Sequence, residues 1–149
     1  MKIAVIGLGF VGLSLTSVLA SRGNNVIGID VDVEKCKKIR SGISPFFELD
    51  LEKMLRIGLK KKLTISNDFS LVKDCNIIFV AVGTPQKSNG AIELSMIKKA
   101  VTSIGRILAK SKKSQIVLIK STVTPGTMQN IILPILEKKL FAFFINLVW

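Results

Sequence analysis

Three glycines within six residues, Gly7, Gly9 and Gly12, sit between two apolar runs and fix most of what this chain can become. Ile3-Ala4-Val5-Ile6 precedes them; a helical pattern follows, then Val26-Ile27-Gly28-Ile29, ending on Asp30. A strand that turns sharply into a helix needs a residue without a Cβ at the turn, which Gly7 supplies. Gly9 lets the backbone come close to a phosphate, and Gly12 lets the helix lie tight on the sheet. The helix start, with the amides of Phe10 and Val11, offers unpaired N–H groups and a positive dipole end. Asp30 falls 18 residues after Gly12, near the ~20 at which an acid meets a ribose. Strand, glycine turn, helix, strand, acid points to a dinucleotide-binding unit. A carboxylate at Asp30 accepts from both ribose hydroxyls and repels a 2′-phosphate, so NAD is expected over NADP. Lys35, one turn into the next helix, is either a ribose or phosphate contact or a surface lysine.

Residues 3–21 are uncharged and follow Lys2, which also suits an export signal or an anchor of about 20 residues. The glycine cluster, the hydroxyls of Ser14, Thr16 and Ser17, and the second strand at the right distance speak against both. No membrane segment is expected.

The chain has one domain's length, 149 residues, and carries 22 Lys and Arg against 10 Asp and Glu, a net +12. Such a balance suits nucleic acid, an anionic membrane or anionic small molecules. The positives are scattered over many segments, and no aromatic residues interleave with them, so a nucleic-acid surface is not expected. Without histidine, the usual zinc sites and His-based triads are excluded. Cys36 and Cys75 are isolated, lack metal-ligand spacing and read as reduced, buried thiols. Cytoplasm is the expected compartment, with no metal.

Strands and helices alternate along the rest. A helix is expected over residues 11–21, with Val11, Leu15, Val18 and Leu19 inward, and another from about Val33 to Arg40. Residues 49–57 read as a short helix, with Leu51, Met54 and Leu55 inward and Gly58 as its stop. A strand at 63–66 and a helix capped by Asn67 or Asp68 and running to about Lys73 follow. The apolar run 76–82 reads as a strand buried on both faces, and it ends in Gly83-Thr84-Pro85. A helix over 93–110 places Ile97, Val101, Ile104 and Leu108 on one face. The strand 116–119 ends in Lys120-Ser121-Thr122. Thr124 as cap and Pro125 as first position would start a last helix, kinked at Pro134.

This alternation predicts an α/β fold, a doubly wound parallel sheet of Rossmann type with five or six strands. With strand order 3-2-1-4-5, the ends of strands 1, 4 and 5 line one crevice. Thr84 and Thr122 are then candidates for the nicotinamide half, although Thr-Pro and Ser-Thr also serve as ordinary turn residues.

Four ordered stretches resemble the UDP-glucose/GDP-mannose dehydrogenase family: IGLGFVGLSL, VIGIDVDVEKCKKIRSGISPFFE, FVAVGTPQKSNGAIELSMI and KSTVTPGTMQNIILPILE. The resemblance covers residues 1–138 and implies the family's N-terminal NAD-binding domain, here 1–139. It implies Gly7, Gly9 and Gly12 at the pyrophosphate with the amides near Phe10 and Val11. Asp30 and Lys35 would lie at the adenosine ribose, and Thr84 and Thr122 toward the nicotinamide. Members oxidise the C6 alcohol of a nucleotide sugar, UDP-glucose or GDP-mannose, to a carboxylate in two NAD-dependent steps through a cysteine-bound intermediate.

Two departures stand out. Leu49-Asp50 replaces the family's Pro-Gly, so that turn is expected to be reshaped. The family's catalytic glutamate, lysine, asparagine and cysteine lie beyond the matched stretches, and Cys36 and Cys75 do not take that cysteine's place. No catalytic residue is therefore assigned, and a truncated form, inactive alone, is expected. The apolar tail 140–149 leaves the family pattern. It is expected as a chance run left by a frameshift or early stop, as a sixth strand at the sheet edge, or as a docking segment for a partner chain supplying the missing half; a homo-oligomer also stays open.

Overall fold

The computed structural model describes residues 1–111 and 113–138. Five strands form one sheet: β1 (Lys2–Ile6), β2 (Asn25–Ile29), β3 (Leu63–Ser66), β4 (Ile77–Val80) and β5 (Ile116–Ile119). Their order is β3-β2-β1-β4-β5, and every neighbouring pair is parallel. β1 is central because its run is apolar on both faces: Ile3 and Val5 point to one side, Ala4 and Ile6 to the other, all buried.

Each face has its own core. Ile3, Val5, Val26, Leu63 and Ile65 pack against α1 (Phe10–Ser21), α2 (Val33–Arg40) and α3 (Leu51–Leu59). On the other face, Ala4, Ile6, Ile27, Ile78, Val80 and Val117 meet α4 (Ser95–Leu108) and α5 (Leu133–Glu137). The 3₁₀ turn Phe69–Asp74 adds Val72 to this second core. Asp68 caps that turn by accepting the N–H of Ser70 at 2.8 Å.

The helices differ from the sequence expectation in instructive ways. α1 turns inward Gly12, Leu13, Thr16, Ser17 and Ala20, while Val11 is exposed. Leu15 and Leu19 cover only the rim of that core. Small residues face in because α1 lies close to both the sheet and α3. Gly58 does not stop α3; it lies inside it, and a β-carbon there would come 2.8 Å from Cβ of Ala20. Of the residues expected inward in α3, Leu51 and Leu55 are buried and Met54 is only half-buried.

Thr124 and Pro125 start no helix directly. Helical structure begins as a π-helical turn, Met128–Ile132, and passes into α5, where Pro134 holds a first-turn position. Pro134 has no N–H to give the carbonyl four residues back, which suits a widened turn upstream of it. β4 is shorter than the apolar run that predicts it, and the chain leaves the sheet at Ala81. The tail 140–149, expected as a sixth strand or a docking segment, lies outside the described residues.

Candidate functional site

The C-terminal ends of β1, β2 and β4 open onto a cleft of about 670 Å³, within the ~300–1,000 Å³ usual for small-molecule sites. Gly7, Gly9, Asp30, Val31, Asp32 and Lys35 form one wall. Ala81, Val82, Gly83 and the α4 residues Met96, Lys99, Ala100 and Ser103 form the other. The cleft sits between β1 and β4, where successive crossovers pass to opposite faces of the sheet and the loops part.

The three glycines are glycine for three different reasons. Gly7 has φ +91°, and a β-carbon there would come 2.7 Å from the carbonyl oxygen of Ala81. A β-carbon on Gly12 would sit 1.8 Å from the carbonyl oxygen of Gly7. Those two are required by the turn and by packing. Gly9 is not: its φ of −78° and ψ of −166° suit any residue, and a β-carbon there meets nothing within 4 Å. No atom of the chain requires glycine at this position, which borders the open cleft.

Beside Gly9, α1 begins with neither a capping side chain nor an acid in its first turn. The amides of Phe10, Val11 and Gly12 have no intrahelical acceptors by the geometry of a helix start. A cradle of uncapped N–H groups at a positive dipole end suits a pyrophosphate. The loop after α2 braces this end. Phe46 stacks on Phe10 with ring centroids 3.9 Å apart, and the Ser14 hydroxyl meets both the Phe10 carbonyl at 2.7 Å and the Glu48 carboxylate.

Asp30 is 7% exposed and already engaged. Its Oδ2 accepts the N–H of Leu8 at 2.8 Å and the Lys35 ammonium at 3.0 Å, and its Oδ1 accepts the N–H of Asp32 at 3.0 Å. Burial pushes the carboxyl upward. The hydrogen bonds from Asp32, Leu8 and Lys35 outweigh that and leave it below the ordinary 3.8. Three of the roughly four lone-pair positions on a carboxylate are thus occupied. A ribose that takes two hydroxyl bonds here must displace Lys35, a second role for the acid that its spacing alone does not reveal. Lys35 is well placed to move, because its ammonium is partly solvent-accessible at the cleft wall.

The Thr84 hydroxyl donates to the Thr122 carbonyl at 2.9 Å, which joins the loops after β4 and β5. Ser121 Oγ likewise donates to the Val82 carbonyl at 2.7 Å, tying the loop after β4 to the loop after β5. Neither threonine lines the 670 Å³ cleft. Sequence reasoning missed the α4 wall, where Met96, Lys99, Ala100 and Ser103 lie at helical spacing beside the buried face of Ile97, Val101, Ile104 and Leu108. Cys36 and Cys75 are fully buried and face no cleft; burial raises both thiols. Among the described residues, no helix is long and apolar enough to cross a membrane.

The turn at Leu49-Asp50 takes a backbone that usually favours glycine. Asp50 has φ 60° and ψ −2°, left-handed, and is the only described non-glycine residue with positive φ. Aspartate tolerates that region better than most side chains.

Comparison with known proteins matches this architecture. The profile of the UDP-glucose/GDP-mannose dehydrogenase family, NAD binding domain, covers residues 1–149. GDP-mannose 6-dehydrogenase of Pseudomonas syringae pv. tomato is 37% identical over 139 residues, which is 92% of this chain and 32% of that protein. A putative UDP-glucose 6-dehydrogenase of Bacillus subtilis is 38% identical over 133 residues, 88% of this chain and 30% of that one. GDP-mannose dehydrogenase from Pseudomonas aeruginosa, solved as a ternary complex, superposes with a TM-score of 0.95 at 34% identity, over 99% of this chain and 35% of that one. The chain therefore spans about a third of the length of the relatives it matches. Sheet order, glycine turn, terminal acid and these likenesses agree, and the chain belongs to the UDP-glucose/GDP-mannose dehydrogenase family, matching its NAD-binding domain.

Proposed function

We propose that this chain is the cofactor-holding third of a cytoplasmic nucleotide-sugar dehydrogenase. The observation that carries the reading is Gly9: a glycine with no conformational or packing reason of its own, beside uncapped amides and an open cleft. Space kept free of side chain there is space for a pyrophosphate.

In this reading Gly7, Gly9 and Gly12 shape the phosphate loop, and the amides of Phe10 and Val11 donate to the phosphates. Asp30 takes the adenosine ribose as Lys35 swings off Oδ2 to meet the ribose or a phosphate. Thr84, whose hydroxyl donates to the Thr122 carbonyl, and Thr122 border the nicotinamide end. NAD, when bound, supplies hydride acceptance. The whole enzyme would oxidise a primary alcohol on UDP-glucose or GDP-mannose: RCH₂OH, two NAD⁺ and water give RCOO⁻, two NADH and three protons. The described residues bring no thiol to the cleft. The sugar-binding and covalent steps thus belong to a part of the enzyme not represented in this cleft, and the chain alone is expected to be inactive.

Isothermal titration of the 149-residue chain with NAD tests the reading. Binding is expected, strongly weakened in Asp30→Ala and in Gly9→Val. No binding by the wild-type chain, or binding indifferent to both changes, would overturn it. Turnover of UDP-glucose or GDP-mannose by the chain alone would overturn the division of labour.

A further inference from the structure

The five strands run parallel, so all of them begin at the end of the sheet away from the glycine turn. β1 is five residues long, which separates the two ends by about 16 Å. At the far end four residues from neighbouring strand starts stand in a row: Lys62, Asn25, Lys2 and Asn76. The backbone fixes their order. The Lys62 carbonyl accepts the N–H of Val26 at 3.0 Å, Lys2 is the register partner of Asn25, and the Lys2 carbonyl accepts the N–H of Asn76 at 2.8 Å.

These four residues border a cavity of about 400 Å³ in which no carboxylate takes part. Nearby lysines are already engaged: Lys61 donates to the Ser21 carbonyl at 2.8 Å, and Lys113 to the Asp74 carboxylate at 3.3 Å. The ammoniums of Lys2 and Lys62 have no hydrogen bond or ion pair among the described residues. Oδ1 of Asn76 accepts the N–H of Lys2 at 2.9 Å, which leaves its NH₂ to donate elsewhere. Lys2 and Lys62 start two strand spacings apart, about 10 Å, and their long, flexible stems can meet over Asn25. Helices also end on this side, and bare C-terminal carbonyls repel an anion. At α1, whose end borders the cavity, they are covered: Asn24 Nδ2 donates to the Leu19 carbonyl at 3.0 Å, and Lys61 holds that of Ser21.

We propose that this end of the sheet is a binding site for a phosphate group, neutralised by the ammoniums of Lys2 and Lys62 and bonded by the side-chain amides of Asn25 and Asn76. Cations and amide donors without a carboxylate suit an oxyanion, which only accepts. Two ammoniums match the charge of a phosphate monoester, about −2 near neutral pH. The cavity is large enough for a small organic body as well. Free phosphate and a small phosphomonoester therefore share the chemistry that this site reads. The inference does not depend on what the cleft at the other end of the sheet holds.

The test is an NMR titration of the isotope-labelled 149-residue chain with inorganic phosphate, against chloride at equal ionic strength, with glycerol 3-phosphate in a parallel series. Saturating shifts are expected at the amides of Asn25, Lys62 and Asn76, resolved from any at Gly7 to Gly12. Tighter binding of the ester assigns the site to a phosphorylated small molecule, and equal binding assigns it to free phosphate; both support it. Lys62→Met should weaken binding about fivefold, the scale of one charge-assisted hydrogen bond at a solvated position. Lys62 is exposed, so that variant reads binding without a change in folding. Asn76→Asp keeps an acceptor for the Lys2 N–H but sets a carboxylate in the cavity, and should abolish binding. Lys60→Met removes the same charge two residues away, from a side chain that does not line the cavity, and should bind like wild type. Shifts that do not saturate, shifts confined to Gly7 to Gly12, or equal losses in Lys60→Met and Lys62→Met overturn the proposal.

Discussion

The carboxylate of Asp30 accepts the N–H of Leu8 at 2.8 Å, joining the end of β2 to the middle of the glycine turn. The acid proposed to hold a ribose is therefore also the pin that sets the loop. Leu8 is completely buried, so its N–H has no water to turn to. Asp30→Ala should cost about 1–3 kcal/mol of stability, the range for orphaning a buried donor. Asp30→Asn keeps an acceptor for Leu8 and should cost less. Urea unfolding of both variants checks this; equal losses would show that the Leu8 bond carries no weight.

The same carboxyl gives a pH signature. Its value in the folded protein lies below the ordinary 3.8. A depressed acid stabilises the fold at pH above its unfolded value, and that contribution is lost as pH falls through the folded value. The stability gap between wild type and Asp30→Asn should hold steady from neutral pH down to mildly acid conditions, then narrow below 3.8. A gap that widened on acidification would contradict the sign.

Gly9→Ser separates folding from binding. Serine is at least as good an N-cap as glycine, and a β-carbon there meets no atom of the protein within 4 Å. Stability should stay level or rise by a few tenths of a kcal/mol. Affinity for NAD should fall at least about tenfold, roughly 1.4 kcal/mol. Gly12→Ala should do the reverse, since its β-carbon strikes the Gly7 carbonyl at 1.8 Å. A loss of about 1–3 kcal/mol or more is expected from thermal melts.

Asp50 holds a left-handed backbone at φ 60°, a region that favours glycine. Asp50→Gly should raise stability by about 0.5–1 kcal/mol, the strain relieved less the added freedom of the unfolded chain. A destabilised Asp50→Gly in chemical denaturation would mean that the side chain contributes something its missing cap bond does not show.

Both thiols are raised by burial. In Cys36 the neighbouring Asp30 charge raises it further, against opposing contributions from the Asp30 carbonyl, Arg40 and Lys35. Neither cysteine should react with an aromatic disulfide reagent in the folded chain at neutral pH, and both should react at once in denaturant. Fast labelling of either in native buffer would show an opening the packed cores do not suggest.

Much of this was legible in the residues, because the sheet depends on apolar runs and turn glycines that announce themselves. Ile3 to Ile6, Ile77 to Val80 and Ile116 to Ile119 became strands in the expected order. Asp30 and Gly9 reached the same cleft. What hydrophobicity could not show is size. α1 turns Gly12, Thr16, Ser17 and Ala20 inward because the space under it is shallow, and Gly58 fits where α3 meets Ala20. Nor could spacing show that Asp30 is already engaged by Leu8, Asp32 and Lys35, since those donors converge only after folding. The α4 wall went unread because a helix face beside the buried one defaults to solvent until something is found opposite it.

The bond from Asp30 to Leu8 also bears on modularity. A glycine turn looks like a portable part, six residues to be cut out and grafted onto another strand and helix. Here its middle amide is held by a side chain 22 positions downstream. A graft without that acid would carry the letters of the motif and lose its shape. The transferable unit is therefore the whole strand–helix–strand crossover, and an engineer moving this pocket would have to move residues 2 to 30 together.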